Sequence, residues 1–332
     1  MIAIRRILFC ELALVICVTC TSAQEPTFPF KLAFVSNREH YWYPHVYLYE
    51  HDGKSVGKIV GAIDPKDKRL DHQPVLSGDG KICVFGSELE AQVGRLQFWD
   101  LQANTARDFG DLFKTPNAVF SPSISADGTW LALSAWNRPS SSARWDVLLY
   151  DLVTKQPIEL PGVNTAKYDE RRAAISGDGR WLAFTTNSPA GRGLTDLWLN
   201  NRQSKQVLPL AEMNSQATDT FPTLNSDGRL ICFASDREGG RGGLDIYLYD
   251  HIDRHFIPLP GLNSPGHEQT PSISQDGRLI AFVSERFDSP GEHDIFIYDR
   301  ETRRLLDTPG LNTDRDDYDP CLVLLNAAAQ RK

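Results

Sequence analysis

One unit recurs along this chain at intervals of about 49 residues, and a unit that short buries its apolar face only against neighbouring copies of itself. Its marker is a Ser (once Asn) followed two residues later by Asp-Gly: Ser77-Gly78-Asp79-Gly80, Ser125-Ala126-Asp127-Gly128, Ser176-Gly177-Asp178-Gly179, Asn225-Ser226-Asp227-Gly228 and Ser274-Gln275-Asp276-Gly277. The five Asp positions step by 48, 51, 49 and 49. Asp-Gly supplies the positive φ that a tight hairpin needs. Ahead of it lies a short strand such as Pro271-Ser272-Ile273-Ser274, and behind it an apolar one such as Leu279-Ile280-Ala281-Phe282-Val283-Ser284. A third strand, Asp294-Ile295-Phe296-Ile297-Tyr298-Asp299, and a fourth around Arg304-Leu305-Leu306-Asp307 complete one four-stranded antiparallel sheet.

Repeated sheets of this kind predict an all-β propeller. The second strand occurs six times, centred on Phe34, Phe85, Leu133, Phe184, Phe233 and Phe282, so six blades are expected. The first copy has no Asp-Gly hairpin ahead of it, whereas Asp319-Pro320-Cys321-Leu322-Val323 matches an innermost strand with nothing after it. The C-terminal segment is therefore expected to pair with the N-terminal blade and close a propeller spanning residues 31–325, ahead of a tail at 326–332.

Residues 1–23 read as an export signal: Arg5 and Arg6, an apolar run from Ile7 to Val18, then small residues ending at Ala23. A linker at 24–30 follows, and no integral membrane span is expected after cleavage, the run being too short. A lipoprotein reading would modify Cys20, but Cys17 stands where an aliphatic residue is wanted. The expected location is periplasmic or secreted. Cys83, Cys232 and Cys321 fall in strand-like runs without metal-ligand spacing and read as buried small hydrophobes. A formal charge of -8 and the lack of a basic stripe exclude a duplex nucleic-acid partner.

The pattern Pro-x-x-Ser-x-Asp-Gly, then Ile-Ala-Phe-x-Ser, Ser-x-Arg and Asp-Ile-Tyr resembles the WD40-like (PD40) repeats of TolB-type β-propellers over residues 31–324. For TolB itself the resemblance implies a periplasmic partner-binding propeller. TolB carries an α/β domain ahead of its propeller, and here about seven residues separate the expected cleavage site from the first strand. Similar repeats precede the hydrolase domain of some serine peptidases, but no Gly-x-Ser-x-Gly elbow is present. Polysaccharide lyases that act on uronic-acid polymers resemble this repeat type and use a histidine-bound metal.

In this topology the entries into the innermost strands share a face with the loops between second and third strands, and binding groups favour loops on a rigid scaffold. Three residues before the innermost strand stands an acid in five blades: Asp71, Glu170, Asp219, Glu268 and Asp317. Two readings are open: a carboxylate ring holding a divalent cation or basic partner, or pairing with the repeated Arg38, Arg138, Arg237 and Arg286. Asp314, Asp316, Asp317 and Asp319 form the densest acidic run, a second candidate for a cation, although the EF-hand pattern is absent. Tyr41, Trp42 and Tyr43 in the first blade's loop, with Trp136 in the third, are candidates for stacking on a sugar or anchoring a peptide, or for packing over the closure seam. His40, His45, His72, His267 and His293 are scattered over the same loops.

These features point to an exported binding module for a protein or polysaccharide, with no cofactor expected. The alternative is a metal-dependent lyase or hydrolase using the acids and loop histidines. Convergence of three or more such side chains on one point discriminates the two.

Overall fold

The computed structural model describes residues 28–52, 57–62, 70–89, 92–107, 118–136 and 144–325. The expected signal and tail lie outside the described residues. Twenty-four strands form six four-stranded sheets, and no helix is present among the described residues.

The first sheet holds β1 (Pro29–Ser36), β2 (His45–Asp52) and β3 (Gly57–Ala62); the second β4 (Leu70–Leu76), β5 (Ile82–Leu89), β6 (Gln92–Asp100) and β7 (Thr105–Ala106). The third holds β8 (Val119–Ile124), β9 (Trp130–Trp136), β10 (Trp145–Asp151) and β11 (Gln156–Ile158); the fourth β12 (Glu170–Ile175), β13 (Trp181–Thr186), β14 (Asp196–Asn201) and β15 (Gln206–Leu208). The fifth holds β16 (Asp219–Leu224), β17 (Leu230–Ser235), β18 (Asp245–Asp250) and β19 (His255–Phe256); the sixth β20 (Glu268–Ile273), β21 (Leu279–Ser284), β22 (Asp294–Asp299) and β23 (Arg304–Leu305). The last strand, β24 (Asp317–Leu324), returns to the first sheet as its innermost member, running antiparallel to β1 from Ser36↔Asp317 to Phe30↔Leu324. This is the closed six-bladed propeller that the repeat predicts, with β1 opening at Pro29, two residues inside the expected linker.

Five blades turn from their first to their second strand through the repeated hairpin. The Ser77 hydroxyl donates to Asp79 Oδ1 at 2.7 Å and accepts from the Ile82 amide at 3.0 Å, while Asp79 Oδ1 also accepts from the Lys81 amide. Ser125, Ser176 and Ser274 repeat the bonds to the Asp and to the strand amide. In the fourth copy the Asn225 side chain accepts the strand amide. Only the Gly of each Asp-Gly has positive φ, 66° at Gly80 and 79° at Gly277, so that glycine alone carries the left-handed step.

The core lies between blades. Phe34 and Tyr47 pack against Leu279, Val283, Ile295 and Ile297 of the sixth blade across the closure seam. All six second-strand centres, Phe34, Phe85, Leu133, Phe184, Phe233 and Phe282, are fully buried, each burial stabilising by roughly 1.5–3 kcal/mol.

At the hairpin face the five turns join in a ring around the channel axis. Gly78 N–H donates to Ala126 O, Ala126 N–H to Gly177 O, Asp178 N–H to Ser226 O and Ser226 N–H to Gln275 O, at 2.8–2.9 Å. The closing blade has no such hairpin, and the Gln275 side chain spans the gap: its Nε2 donates to Gly78 O at 3.0 Å and its Oε1 accepts the Leu324 amide at 2.8 Å. Close approach keeps these positions small; a Cβ on Gly78 would sit 2.7 Å from that of Ala126. Gln275→Ala strands a part-buried carbonyl and amide together, and we expect a loss of about 1–3 kcal/mol in urea unfolding, against under about 0.5 kcal/mol for the exposed Gln203→Ala.

Candidate functional site

The five acids stand at the beginnings of innermost strands rather than ahead of them, because pairing with the second strand extends to the loop-face end of each blade. Four of them are joints between blades. The Asp317 amide donates to His293 O at 2.8 Å, that of Glu268 to Leu244 O at 2.7 Å, that of Asp219 to Thr195 O at 2.9 Å and that of Asp71 to Pro44 O at 3.0 Å, all on the preceding blade. The carboxylates are at most 1% exposed.

Three of them meet the repeated arginines. Arg38 Nη2 donates to Asp317 Oδ1 and to Leu311 O, both at 2.7 Å, while its Nε donates to Ser36 Oγ at 2.9 Å and its guanidinium lies 5.0 Å over the Tyr47 ring. Arg237 repeats this with Asp219 at 2.6 Å, Met213 O at 3.0 Å, Ser235 and the Tyr247 ring. Arg286 does so with Leu262 O, Ser284 and the Phe296 ring, standing 3.8 Å from Glu268. Arg138 lies outside the described residues. Asp71 takes Ser87 Oγ at 2.8 Å and His45 Nδ1 at 3.2 Å instead.

Among the described residues Glu170 has no cation in contact. It accepts from the Thr165 amide at 2.9 Å and from the hydroxyls of Thr165 and Thr186 at 3.0 and 3.2 Å. Burial pushes its carboxyl up to about 7, against those hydrogen bonds. The folded state therefore holds a proton that the unfolded chain releases near 4.5, and stability from this group falls as pH rises between those values.

The acidic run divides. Asp314 is exposed, Asp316 Oδ1 lies 3.2 Å from His293 Nδ1, Asp317 is taken by Arg38, and Asp319 turns into the channel. The loop histidines go to separate partners: His45 to Asp71, His267 Nδ1 accepts the Leu244 amide at 3.2 Å, His293 lies between Asp316 and Glu285, and His72 packs over Gly86, where a Cβ would meet its ring at 2.0 Å. His40 is exposed, its ring 6.4 Å from that of His45. Among the described residues one group of three His, Cys or acid side chains has its ligand atoms within 4.8 Å of one another, Asp250, Asp253 and His255 near the hairpin face, and Arg229 pairs with both of its acids.

The aromatic candidates do stand out from the surface. Trp42 is 76% exposed and Tyr41 59%, in an edge-to-face pair 4.9 Å apart, and Arg315 lies over Tyr41; Tyr43 is half-buried. Trp136 is 44% exposed, beside Trp145. Leu70, Leu194 and Phe287 are exposed on the same face. Phe287 and Leu194 carry no motif, and only their position on loops could have marked them.

Of the expected site residues only Asp319 lines the central channel. A cavity of about 210 Å³ is lined by all six innermost strands, including Gln73, Ser121, Arg172, Phe221, Thr270 and Asp319. Each of these six has positive φ, from 46° to 54°, and sits at the bulge of its strand. Five of the six precede a proline.

No protein-family model matches the sequence, and neither does any curated protein. Among solved structures, TolB from Acinetobacter baumannii is 16% identical, with a TM-score of 0.62 over 88% of this chain; the chain spans 66% of that protein. A putative TolB from Agrobacterium tumefaciens is 17% identical, with a TM-score of 0.57, covering 90% of this chain and 99% of its own. An oligogalacturonate lyase in complex with manganese is 14% identical, with a TM-score of 0.55, covering 83% and 73%.

Two substitutions test the joints. Arg38→Ala leaves Asp317 buried and unpaired and is expected to cost about 3–5 kcal/mol in urea unfolding, as is Arg237→Ala at the matching joint. Glu170→Gln is expected to remove a fall in stability of up to about 1.4 kcal/mol per pH unit between pH 5 and 7, read from denaturation curves of both proteins. From its strand order, its closure and these structural likenesses, the chain is a TolB-like six-bladed β-propeller.

Proposed function

We propose that the protein is an exported, non-catalytic binding module that holds a protein or polysaccharide on its loop face. The observation that carries this is the distribution of exposed apolar side chains. Of nine exposed large apolar side chains among the described residues, Tyr41, Trp42, Leu70, Trp136, Leu194 and Phe287 lie on the loop face, whereas Val153 and Ile252 occupy turns on the opposite one and Phe256 lies on the outer strand β19. Exposed aromatics on a rigid scaffold give contact area at low entropic cost, and a collected set of them marks an interaction surface. Tyr41 and Trp42 of the first blade and Phe287 of the sixth stand on adjacent blades across the closure seam, which favours them as the centre of contact.

The buried acids hold the loops that display these side chains, and their carboxylates are occupied by hydroxyls, arginines and His45. A metal-dependent lyase needs converging ligands, and the described loop-face histidines go to separate partners, so the geometry favours binding over lyase chemistry. The TolB-like fold supports the same choice, and the leader-like residues 1–23 support export.

The test uses Trp42→Ala, Trp136→Ala and Phe287→Ala, singly and together. Cross-linked pull-downs from envelope fractions read protein partners, and affinity electrophoresis in polysaccharide gels reads glycans. The triple variant should lose about tenfold or more in apparent affinity while its melting temperature stays close to that of the parent. Retention of partners by the triple variant would refute the loop face as the docking surface.

A further inference from the structure

We propose that the channel is a binding site for a small zwitterion of amino-acid type, its carboxylate held by Arg172 and its ammonium group by Asp319. The proposal is independent of what docks on the loop face.

The six residues at the strand bulges form a collar, one per blade. Bulges re-aim side chains, and non-glycine residues at positive φ persist only where the surrounding structure holds them. Here the effect is to turn six side chains toward one axis. Four are uncharged: Gln73, Ser121, Phe221 and Thr270. The other two, Arg172 on β12 and Asp319 on β24, stand three blades apart in a ring of six, facing each other across the cavity.

Neither charge has a counter-ion in contact among the described residues. Arg172 is fixed by stacking 3.6 Å over the Phe221 ring and by one bond from Nη1 to Thr220 Oγ1 at 3.2 Å, which leaves most of its donors uncommitted. Asp319 Oδ2 accepts the Gln73 amide at 3.2 Å, and His72 is close enough to favour its charged form. Burial, with the like charge of Arg171 beside it, lowers the Arg172 pKa to about 10, and burial raises that of Asp319, as expected of charges held out of water. Thr270 Oγ1, on the blade beside Asp319, is buried with no hydrogen-bond partner.

Separated, opposite, poorly solvated charges favour a ligand carrying the complementary pair, because a simple anion or cation neutralises only one of them. Size agrees with this. The cavity runs from the collar to the hydrogen-bonded ring at Gly78, Ala126, Gly177, Ser226 and Gln275 at the hairpin end. At about 210 Å³ it is smaller than the roughly 300–1,000 Å³ typical of sites for drug-sized ligands.

The experiment is isothermal titration of the folded protein with glycine, β-alanine and γ-aminobutyrate, whose charges are progressively further apart, and with acetate and ethylamine as single-charge probes. One zwitterion should bind saturably at one per chain, with acetate and ethylamine about tenfold or more weaker. Arg172→Gln and Asp319→Asn should each weaken that zwitterion about tenfold or more, and Gln203→Ala, an exposed turn residue, should leave it unchanged. Asparagine retains an acceptor for the Gln73 amide; should Arg172→Gln fail to fold, the ligand series on the parent protein still decides. Acetate binding as tightly as the best zwitterion, unchanged binding by folded variants, or no saturation at millimolar concentrations would each overturn the proposal.

Discussion

The innermost strand of every blade has one paired edge and one edge bare toward the channel, and the architecture depends on how that bare edge is satisfied. Unpaired strand edges are a liability in any sheet. In four of the six blades the bare edge is met by a side chain of the preceding blade. Cys321 Sγ accepts the Leu76 amide, Ser123 Oγ that of Ile175, Ser272 Oγ that of Leu322, and Gln73 Oε1 that of Ser121. At these strands the lining is therefore set first by a backbone requirement, which accounts for Cys321, Ser123, Ser272 and Gln73. Arg172 exceeds that requirement, since its guanidinium satisfies no edge amide, and Asp319 meets it with one oxygen while carrying a charge the task does not need.

A second constraint operates at the loop face, where a buried acid begins five of the six innermost strands. In four of them the amide ties the strand to the preceding blade, and in three the carboxylate faces an arginine of its own blade. Where an Arg is present, the same guanidinium also caps a carbonyl of the incoming connection and stacks on an aromatic of the third strand, so one side chain fixes the ends of three segments. Arg38 performs this task between segments at opposite ends of the chain, which makes it part of the closure. Where the Arg is missing, His45 serves Asp71, and at Glu170 hydroxyls suffice with a carboxyl that resists ionisation.

These joints hold the loops rigidly and leave their tips to vary. The blades agree closely in the buried row and differ in what they raise above it: Trp42 and Tyr41, Trp136, Leu194, Phe287. A repeated scaffold that presents unlike side chains on one face is suited to recognising an unsymmetrical partner. The likeness to TolB structures and to a lyase through the fold alone fits this, because such sites are grafted onto a common frame.

The residues by themselves determined the blade count, the strand order and the closing strand, because the Ser-x-Asp-Gly hairpin and the alternating third strand are local signals repeated in register. They also offered the pairing of Asp219 with Arg237 and of Asp317 with Arg38, since matched residue types recur at matched places in the unit. The collar was not legible. A residue before proline reads as ordinary extended chain, and nothing local shows that Gln73, Phe221 or Asp319 takes a left-handed step that turns its side chain to the axis. Whether Arg172 meets a counter-ion was likewise decided only in three dimensions: its facing group lies three blades away, and the closed ring both brings them opposite and holds them apart.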